Sequence, residues 1–417
     1  MINMLQLLAS TNLFVLAFSA LVFDVPRYTL SLVTLLLFGP RTTSRAVPAA
    51  AGGPAVSVIL PTFNGGSGLL PSIASLQRQT YRPAEIIVVD DGSTDQTRAI
   101  AERARAAGLV DMVICHGTRC GRSPAINAAA RFASGDLILA MDADTVFAPD
   151  VVARMVSVFG DPHVAGAACN IAIVNEGDSL WTSLQSIEYL MSISAGKSFL
   201  DQIGAIGCLS GACSMYRRDI FMRQGGLDVG PGEDLEFSLR LRRLGYTVRF
   251  VPDAWAETSG PAGGVGLLRQ RARWDRDALR IRLIMYGEHG LFQRHEFLRD
   301  ALQRLDFIVF DLVPTLSFPF YLVYVVLLFG PHAASFLLSV YLLLLWLSFI
   351  NIVLAFALFA RPPGWFGLGA WLIFPFYQGV YMKCARFFSY SAEIVFASSR
   401  HDDFVPPRVR RALLGSA

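Results

Sequence analysis

Short apolar runs alternate with helical patterns between residues 50 and 260, and this alternation constrains the fold more than any other feature. VSVIL at 56–60 precedes PTFNGG, EIIVV at 85–89 precedes DDGST, and DLILAM at 136–141 precedes DAD, with DMVIC at 111–115 between the last two. Repeated strand–helix units form a parallel sheet with helices on both faces, so we expect an α/β domain. Such sheets bind ligands at the carboxyl ends of their strands.

Polar residues follow three of these predicted strands, and we take them as candidate ligand-binding residues: Thr62, Asn64, Asp90, Asp91, Asp142 and Asp144. In 142-DAD-144, alternate strand positions point both carboxylates to one side. Carboxylate oxygens are ligands suited to Mg²⁺ or Mn²⁺. Taken singly, each aspartate is equally explained as a turn residue or a helix cap.

Two later segments add candidate residues. In 232-GEDLEFSLRLRRLGY-246, Asp234 lies at the predicted start of a helix, where a carboxylate stays ionised. This suits a general base and suits a helix cap equally well. In 269-RQRARWDRDALRIRL-283, Gln270, Arg273 and Trp274 share one helical face. The other basic residues of this helix, Arg271 among them, are expected to contact anionic headgroups at a membrane surface.

The ends of the chain predict membrane segments. The protein is 53% hydrophobic and only 17% charged, against about 25% charged in a typical soluble domain. Residues 4–23 carry no charge and are long enough to span about 30 Å of hydrocarbon. Arg41 and Arg45 follow, which indicates the cytoplasmic side. We expect a multi-pass protein of a bacterial-type inner membrane with its middle domain in the cytoplasm. A net charge of +3 gives no indication of nucleic-acid binding.

The predicted organisation has five parts. They are a membrane anchor of one or two helices (1–45), a cytosolic α/β domain (50–262), amphipathic interface helices (263–304), two or three transmembrane helices (305–390) and a basic tail (391–417). The number of spans, and with it the side of the tail, stays open at this point.

The order PTFN, DDGST, DAD, GED and QRARW resembles the family 2 glycosyltransferases with a GT-A fold. Within them it is similar to the membrane-integrated processive group, which includes cellulose, chitin and hyaluronan synthases and the rhizobial chitin-oligosaccharide synthase. The resemblance covers about residues 54–290 and the flanking membrane layout. It implies a GT-A domain flanked by N- and C-terminal transmembrane helices.

The resemblance also implies roles for individual residues. It implies contacts to a UDP-sugar donor for Thr62, Asn64, Asp90, Asp91, Arg122, Asp142, Gln270 and Arg273. It implies that Asp144 holds Mg²⁺ or Mn²⁺, that Asp234 is the catalytic base, and that Ser210, Gly211 and Trp274 contact the acceptor glycan. Arg122 stands where many members have lysine, and GED replaces TED, which favours the chitin and hyaluronan type.

The leading functional hypothesis is an inverting synthase that extends a β-linked polysaccharide, with the bilayer as its environment. Transfer of one sugar to a lipid or oligosaccharide acceptor is the alternative among enzymes. A transport or scaffold protein with a degenerate transferase domain is the alternative from another class. A homodimer or a secretion partner is left open.

Overall fold

The computed structural model describes residues 26–42, 53–228, 232–285, 303–359 and 368–401. The predicted span at 4–23 lies outside these residues, and so does most of the predicted tail.

One sheet of eight strands forms the centre of the domain, in the order β3-β2-β1-β4-β7-β6-β8-β5. The strands are β1 Val56–Thr62, β2 Glu85–Asp90, β3 Met112–Cys115, β4 Leu137–Met141, β5 Val146–Phe147, β6 Val164–Ile173, β7 Cys213–Arg217 and β8 Thr247–Thr258. The α/β prediction and the four strands predicted from the apolar runs are confirmed.

The expected parallel sheet is confirmed for the four predicted strands, but the other half of the sheet is mixed, with β6 parallel to β8. Strands β3, β2, β1 and β4 are parallel, with Thr62 opposite Asp90 in the register. Strand β7 runs antiparallel to both β4 and β6, and β5 runs antiparallel to β8. An apolar run does not encode strand direction, so the pattern could not distinguish these cases. The reversed β7 brings the loop before it to the carboxyl end of β4, where the Asp142 N–H donates to the Ala212 carbonyl at 3.2 Å.

Helices cover both faces of the sheet and continue beyond it. They are α1 Ser31–Phe38, α2 Gly66–Gln77, α3 Thr97–Ala106, α4 Arg122–Ala130, α5 Val151–Ser157, α6 Leu180–Tyr189, α7 Ser198–Gln202, α8 Arg218–Arg223, α9 Glu233–Arg243, α10 Gly264–Leu279, α11 Val313–Phe329, α12 Ala333–Leu358, α13 Leu368–Phe376 and α14 Met382–Phe396. Five π-helical segments adjoin them among the described residues: Pro26–Leu30 before α1, Leu190–Lys197 after α6, Arg280–Met285 after α10, Phe307–Leu312 before α11 and Tyr377–Tyr381 after α13.

The two faces of the sheet form separate hydrophobic cores. In β1, Val58 and Leu60 pack with α2, α3 and α5, whereas Ile59 packs with α4 and α9. Successive strand residues point to opposite faces, and both faces are covered here. This double burial explains why the strands read as uninterrupted apolar runs.

One helical run among the described residues, Gln303–Leu358, is long and apolar enough to cross a membrane. Only 11% of its most apolar window is buried. Gly330, with a φ of 50°, separates α11 from α12, and the rings of Phe329 and Phe336 stack 4.4 Å apart beside it. The number of spans, and the C-terminal blocks predicted from composition, stay predictions.

Phe237 holds α9 against the sheet, so its removal should be costly. Its ring is fully buried and lies 5.2 Å from that of Tyr216 and 5.3 Å from that of Phe221. We expect Phe237→Ala to lower the free energy of unfolding by about 3–5 kcal/mol, measured as thermal stability in detergent. The exposed Phe132→Ala is the matched control and should shift stability little. Equal losses in both variants would contradict the packing described here.

Candidate functional site

Arg122 joins three loops at the carboxyl end of the sheet. Its Nε donates to Asp142 Oδ1 at 2.9 Å, and its Nη1 donates to Glu233 Oε1 at 3.0 Å. Its Nη2 donates to the Gly211 carbonyl. Burial alone would lower the pKa of Arg122, but Asp142 and Glu233 outweigh burial and raise it. The guanidinium therefore ties the end of β4 to the start of α9 and to the loop before β7.

Asp234 lies in the first turn of α9, as the sequence predicted, and faces the same loop. Its Oδ2 accepts from the Gly211 N–H at 2.9 Å, and its Oδ1 accepts from the Leu235 N–H at 2.8 Å. Ser210, the residue before Gly211, accepts from Lys197 Nζ at 2.5 Å. The structure thus brings together Arg122, Asp142, Ser210, Gly211 and Asp234, which are far apart in the chain.

Asp144 offers an exposed carboxylate near that of Asp142. Partial desolvation raises the pKa of Asp144, and the nearby Asp142 raises it further. Across the described ranges, its side chain forms no salt bridge. The turn that carries Asp144 is fixed from behind, because Ser72 Oγ donates to the Ala143 carbonyl at 2.8 Å. Two neighbouring carboxylates, one of them without a cationic partner, form a donor set that fits a divalent cation.

The loops after β1 and β2 hold each other in place. Asn64 adopts a left-handed conformation with a φ of 51°, which asparagine tolerates better than most residues. Its Oδ1 accepts from the Thr94 N–H at 2.9 Å, and its N–H donates to Ser93 Oγ at 3.0 Å. Asp90 accepts from the Ser93 N–H at 3.1 Å. The Thr62 hydroxyl is buried and has no hydrogen-bond partner among the described residues.

Asp91 is engaged by the protein itself. Its Oδ1 accepts from the Cys120 N–H at 2.8 Å and lies 2.9 Å from His116 Nδ1, while its Oδ2 accepts from the Gly121 N–H at 2.7 Å. Asp91 therefore fixes the loop from which Arg122 enters the site. The contact of Asp91 with the sugar donor stays a prediction.

Helix α10 contains Gln270, Arg273 and Trp274, as the helical pattern predicted. Its extension approaches the start of α9 closely: a Cβ on Gly232 would lie 2.7 Å from Ile281 Cδ1 and 3.0 Å from Asp277 Cβ. Only glycine leaves this space and readily adopts the φ of 75° observed there. Trp274 is 43% exposed.

The prediction that Arg271 contacts lipid headgroups is wrong. Arg271 is only 3% exposed, and its Nη2 donates to Glu188 Oε2 at 2.9 Å. Its Nη1 donates to Gln270 Oε1 at 2.9 Å. A run of basic residues does not reveal which one has a carboxylate partner 83 positions away. The sequence also did not indicate Glu233 or Asp277, because the pairing of Glu233 with Arg122 and the burial of Asp277 depend on tertiary packing.

Comparison with known proteins agrees with this arrangement. Residues 57–225 match the sequence profile of Glycosyl transferase family 2. The chain is similar to the N-acetylglucosaminyltransferase of Azorhizobium caulinodans, with 35% identity over 243 residues, covering 54% of this chain and 60% of the relative. It is similar to the N-acetylglucosaminyltransferase of Rhizobium meliloti, with 34% identity over 242 residues, covering 54% of this chain and 56% of the relative. The aligned part spans less than two thirds of these relatives' length.

A solved structure shares the fold. The mannosyltransferase PcManGT from Pyrobaculum calidifontis, solved in complex with GDP-Man and Mn²⁺, superposes with a TM-score of 0.61 at 18% identity. The superposition covers 91% of this chain and 99% of that chain. The expected GT-A type fold is therefore confirmed.

Asp277 should make stability depend on pH. Burial, partly opposed by Arg280, raises its pKa to about 7, so the folded state binds a proton more tightly than the unfolded state. Stability is then lost as pH rises from about 4 to about 7. We expect Asp277→Asn to be more stable than wild type at pH 8, by on the order of 1–4 kcal/mol, and similar at pH 4. The exposed Asp219→Asn is the control for thermal midpoints across this range. A pH-independent difference between Asp277→Asn and wild type would contradict the assignment.

Proposed function

We propose that this chain, which carries a family 2 glycosyltransferase domain with a GT-A type fold, is a membrane-bound inverting N-acetylglucosaminyltransferase. It would use UDP-N-acetylglucosamine and extend a β-linked glycan. One observation carries the proposal: Asp234 and Gly211 are joined through Arg122 to Asp142, so an acceptor-side carboxylate stands next to the acidic strand end. The names of the similar curated proteins support N-acetylglucosamine as the sugar.

The donor would lie across the strand ends. Thr62, Asn64, Asp90 and Asp91 would contact the uridine, with the buried Thr62 hydroxyl as one donor still to be satisfied. Gln270 and Arg273 would contact the diphosphate from α10, opposite Arg122. Asp142 and Asp144 would hold Mg²⁺ or Mn²⁺, and this ion would act as a Lewis acid that neutralises the diphosphate. The Asp144 carboxylate, which lies near Asp142 and forms no salt bridge to the described residues, supports this ligand set.

Asp234 would act as general base. It would accept the proton of the acceptor hydroxyl as that oxygen bonds to the anomeric carbon. The bond from the anomeric carbon to the diphosphate oxygen breaks, and UDP leaves with the electron pair. Attack from the face opposite the leaving group converts an α-linked donor into a β-linked product in one displacement. The N–H groups of Gly211 and Leu235 donate to this carboxylate and hold it in place.

The acceptor would enter from the side of α10. Trp274 presents an exposed indole there, and an aromatic face is a suitable platform for a sugar ring. Ser210 and Gly211 would contact the terminal sugar. The apolar helical run Gln303–Leu358 supports a membrane location, and the catalytic domain would lie in the cytoplasm. We infer repeated addition to one growing chain; a single transfer to a lipid or oligosaccharide acceptor is the alternative that product length excludes or supports.

The direct test supplies membranes containing the protein with radiolabelled UDP-N-acetylglucosamine, UDP-glucose or UDP-glucuronic acid, each with Mg²⁺ or Mn²⁺. We expect label from UDP-N-acetylglucosamine alone in a ladder of oligomers that a chitin-specific hydrolase digests. Label confined to one lipid-linked sugar would replace repeated addition by single transfer. Absence of both incorporation and UDP release with every donor would reject the proposed activity.

Asp234→Asn should abolish proton abstraction while keeping the side-chain shape. We expect the transfer rate to fall by about 10²–10⁴-fold, with little change in the KM for the donor. Asp219→Asn, on an exposed helix face, is the matched control and should retain full activity. Near-normal turnover by Asp234→Asn would remove this residue from the mechanism.

Asp144→Asn should separate metal binding from folding. Asp144 is exposed and lies near Asp142, with no salt bridge to the described residues, so its neutralisation should leave the thermal midpoint unchanged or higher. The Mn²⁺ concentration that gives half-maximal transfer should rise by about 10-fold or more, since one of two acidic ligands is lost. An unchanged Mn²⁺ dependence would contradict the metal role.

A further inference from the structure

A chain of side-chain contacts joins the C-terminal helices to Trp274. Glu188, near the end of α6, accepts the Tyr377 hydroxyl on its Oε2 at 2.7 Å. The same Oε2 accepts from Arg271 Nη2 at 2.9 Å. The Arg271 Cζ lies 4.4 Å from the ring centroid of Trp274. The four side chains therefore form one continuous path through three helical elements.

Burial makes this path specific. Glu188, Arg271 and Tyr377 are 8%, 3% and 1% exposed, whereas Trp274 is 43% exposed. Burying a guanidinium is unfavourable unless a carboxylate lies beside it, so Glu188 determines where the Arg271 cation lies. A cation above an indole face attracts the ring and restrains its orientation. The buried side chains of Glu188, Arg271 and Tyr377 thus fix the orientation of the exposed Trp274 ring.

The backbone around Tyr377 is irregular in a way that serves this contact. Pro375 lies inside α13, and the π-helical segment Tyr377–Tyr381 begins directly after that helix. Proline removes one backbone hydrogen bond of a helix, and a π-helical turn changes the direction of the side chains that follow. Tyr381, at the other end of the segment, donates from its hydroxyl to the Gly264 carbonyl at 3.3 Å. Tyr377 therefore contacts Glu188, the partner of Arg271 in α10, and Tyr381 contacts α10 itself.

We propose that Glu188 and Tyr377 are positioning residues that hold Trp274, through Arg271, in the orientation that receives the acceptor sugar. This inference rests on the proposed function, because Trp274 is an acceptor platform only if a glycan is the acceptor. Tyr377, which belongs to the C-terminal helices, would then affect the binding of the acceptor and not that of the donor.

Tyr377→Phe is the primary test, because it removes one hydroxyl and leaves the Glu188–Arg271 ion pair intact. We expect the KM for a tetramer of N-acetylglucosamine to rise by about 5-fold, the effect of losing one hydrogen bond. The KM for UDP-N-acetylglucosamine should stay within about 2-fold, since no donor contact is changed. Equal changes in both KM values, or none, would overturn the positioning role.

A second measurement follows Trp274 directly and needs no turnover. The fluorescence emission of Trp274 is obtained by subtracting the spectrum of Trp274→Phe from that of wild type. The same subtraction is made in the Tyr377→Phe background. We expect acrylamide to quench this component more strongly in the Tyr377→Phe background, because the ring is less restrained. Unchanged quenching would overturn the proposal.

Tyr341→Phe is the matched control. Its hydroxyl bonds the Leu372 carbonyl between α12 and α13, away from Glu188, so both KM values and the quenching should match wild type. If wild type transfers no sugar, the proposed function fails, and the quenching comparison alone then decides whether Tyr377 orients Trp274.

Discussion

The interaction of Arg122 with Asp142, Glu233 and the Gly211 carbonyl is the contact on which the site depends. Burying a guanidinium is unfavourable unless carboxylates and acceptors surround it, so the three loops that supply them must come together when the domain folds. Asp91 contributes indirectly, because its carboxylate fixes the turn that delivers Arg122. Asp91, which the sequence predicts to bind the donor, thus contacts the protein itself. Charge pairing assembles the site.

Helix α10 connects this site to the C-terminal helices. Its buried Arg271 is paired with Glu188, and Asp277 on the same helix lies against Gly232 at the start of α9. One helix therefore contacts both α6 and the start of α9, and it also carries the exposed Trp274.

Local pattern was sufficient for the first four strands and for the expectation that the polar residues after them lie at one edge of the sheet. The apolar runs predicted β1 to β4 because both faces of these strands are covered, and the polar residues after them meet because parallel strands end at one edge. Pattern could not give the direction of β7, which depends on pairing with strands distant in sequence. It also could not find the Arg271–Glu188 pair, since both residues are charged and a local rule places them in solvent. Burial of a charged pair is decided by tertiary packing.

The anomeric configuration of the new linkage tests the central claim most directly. Purified protein is supplied with UDP-N-acetylglucosamine, a short acceptor of N-acetylglucosamine and Mn²⁺, and the product is analysed by proton NMR before any side reaction accumulates. A single displacement assisted by Asp234 predicts a β linkage, with the large anomeric coupling of that configuration. An α linkage would require retention and a second displacement, and would contradict the account of this site.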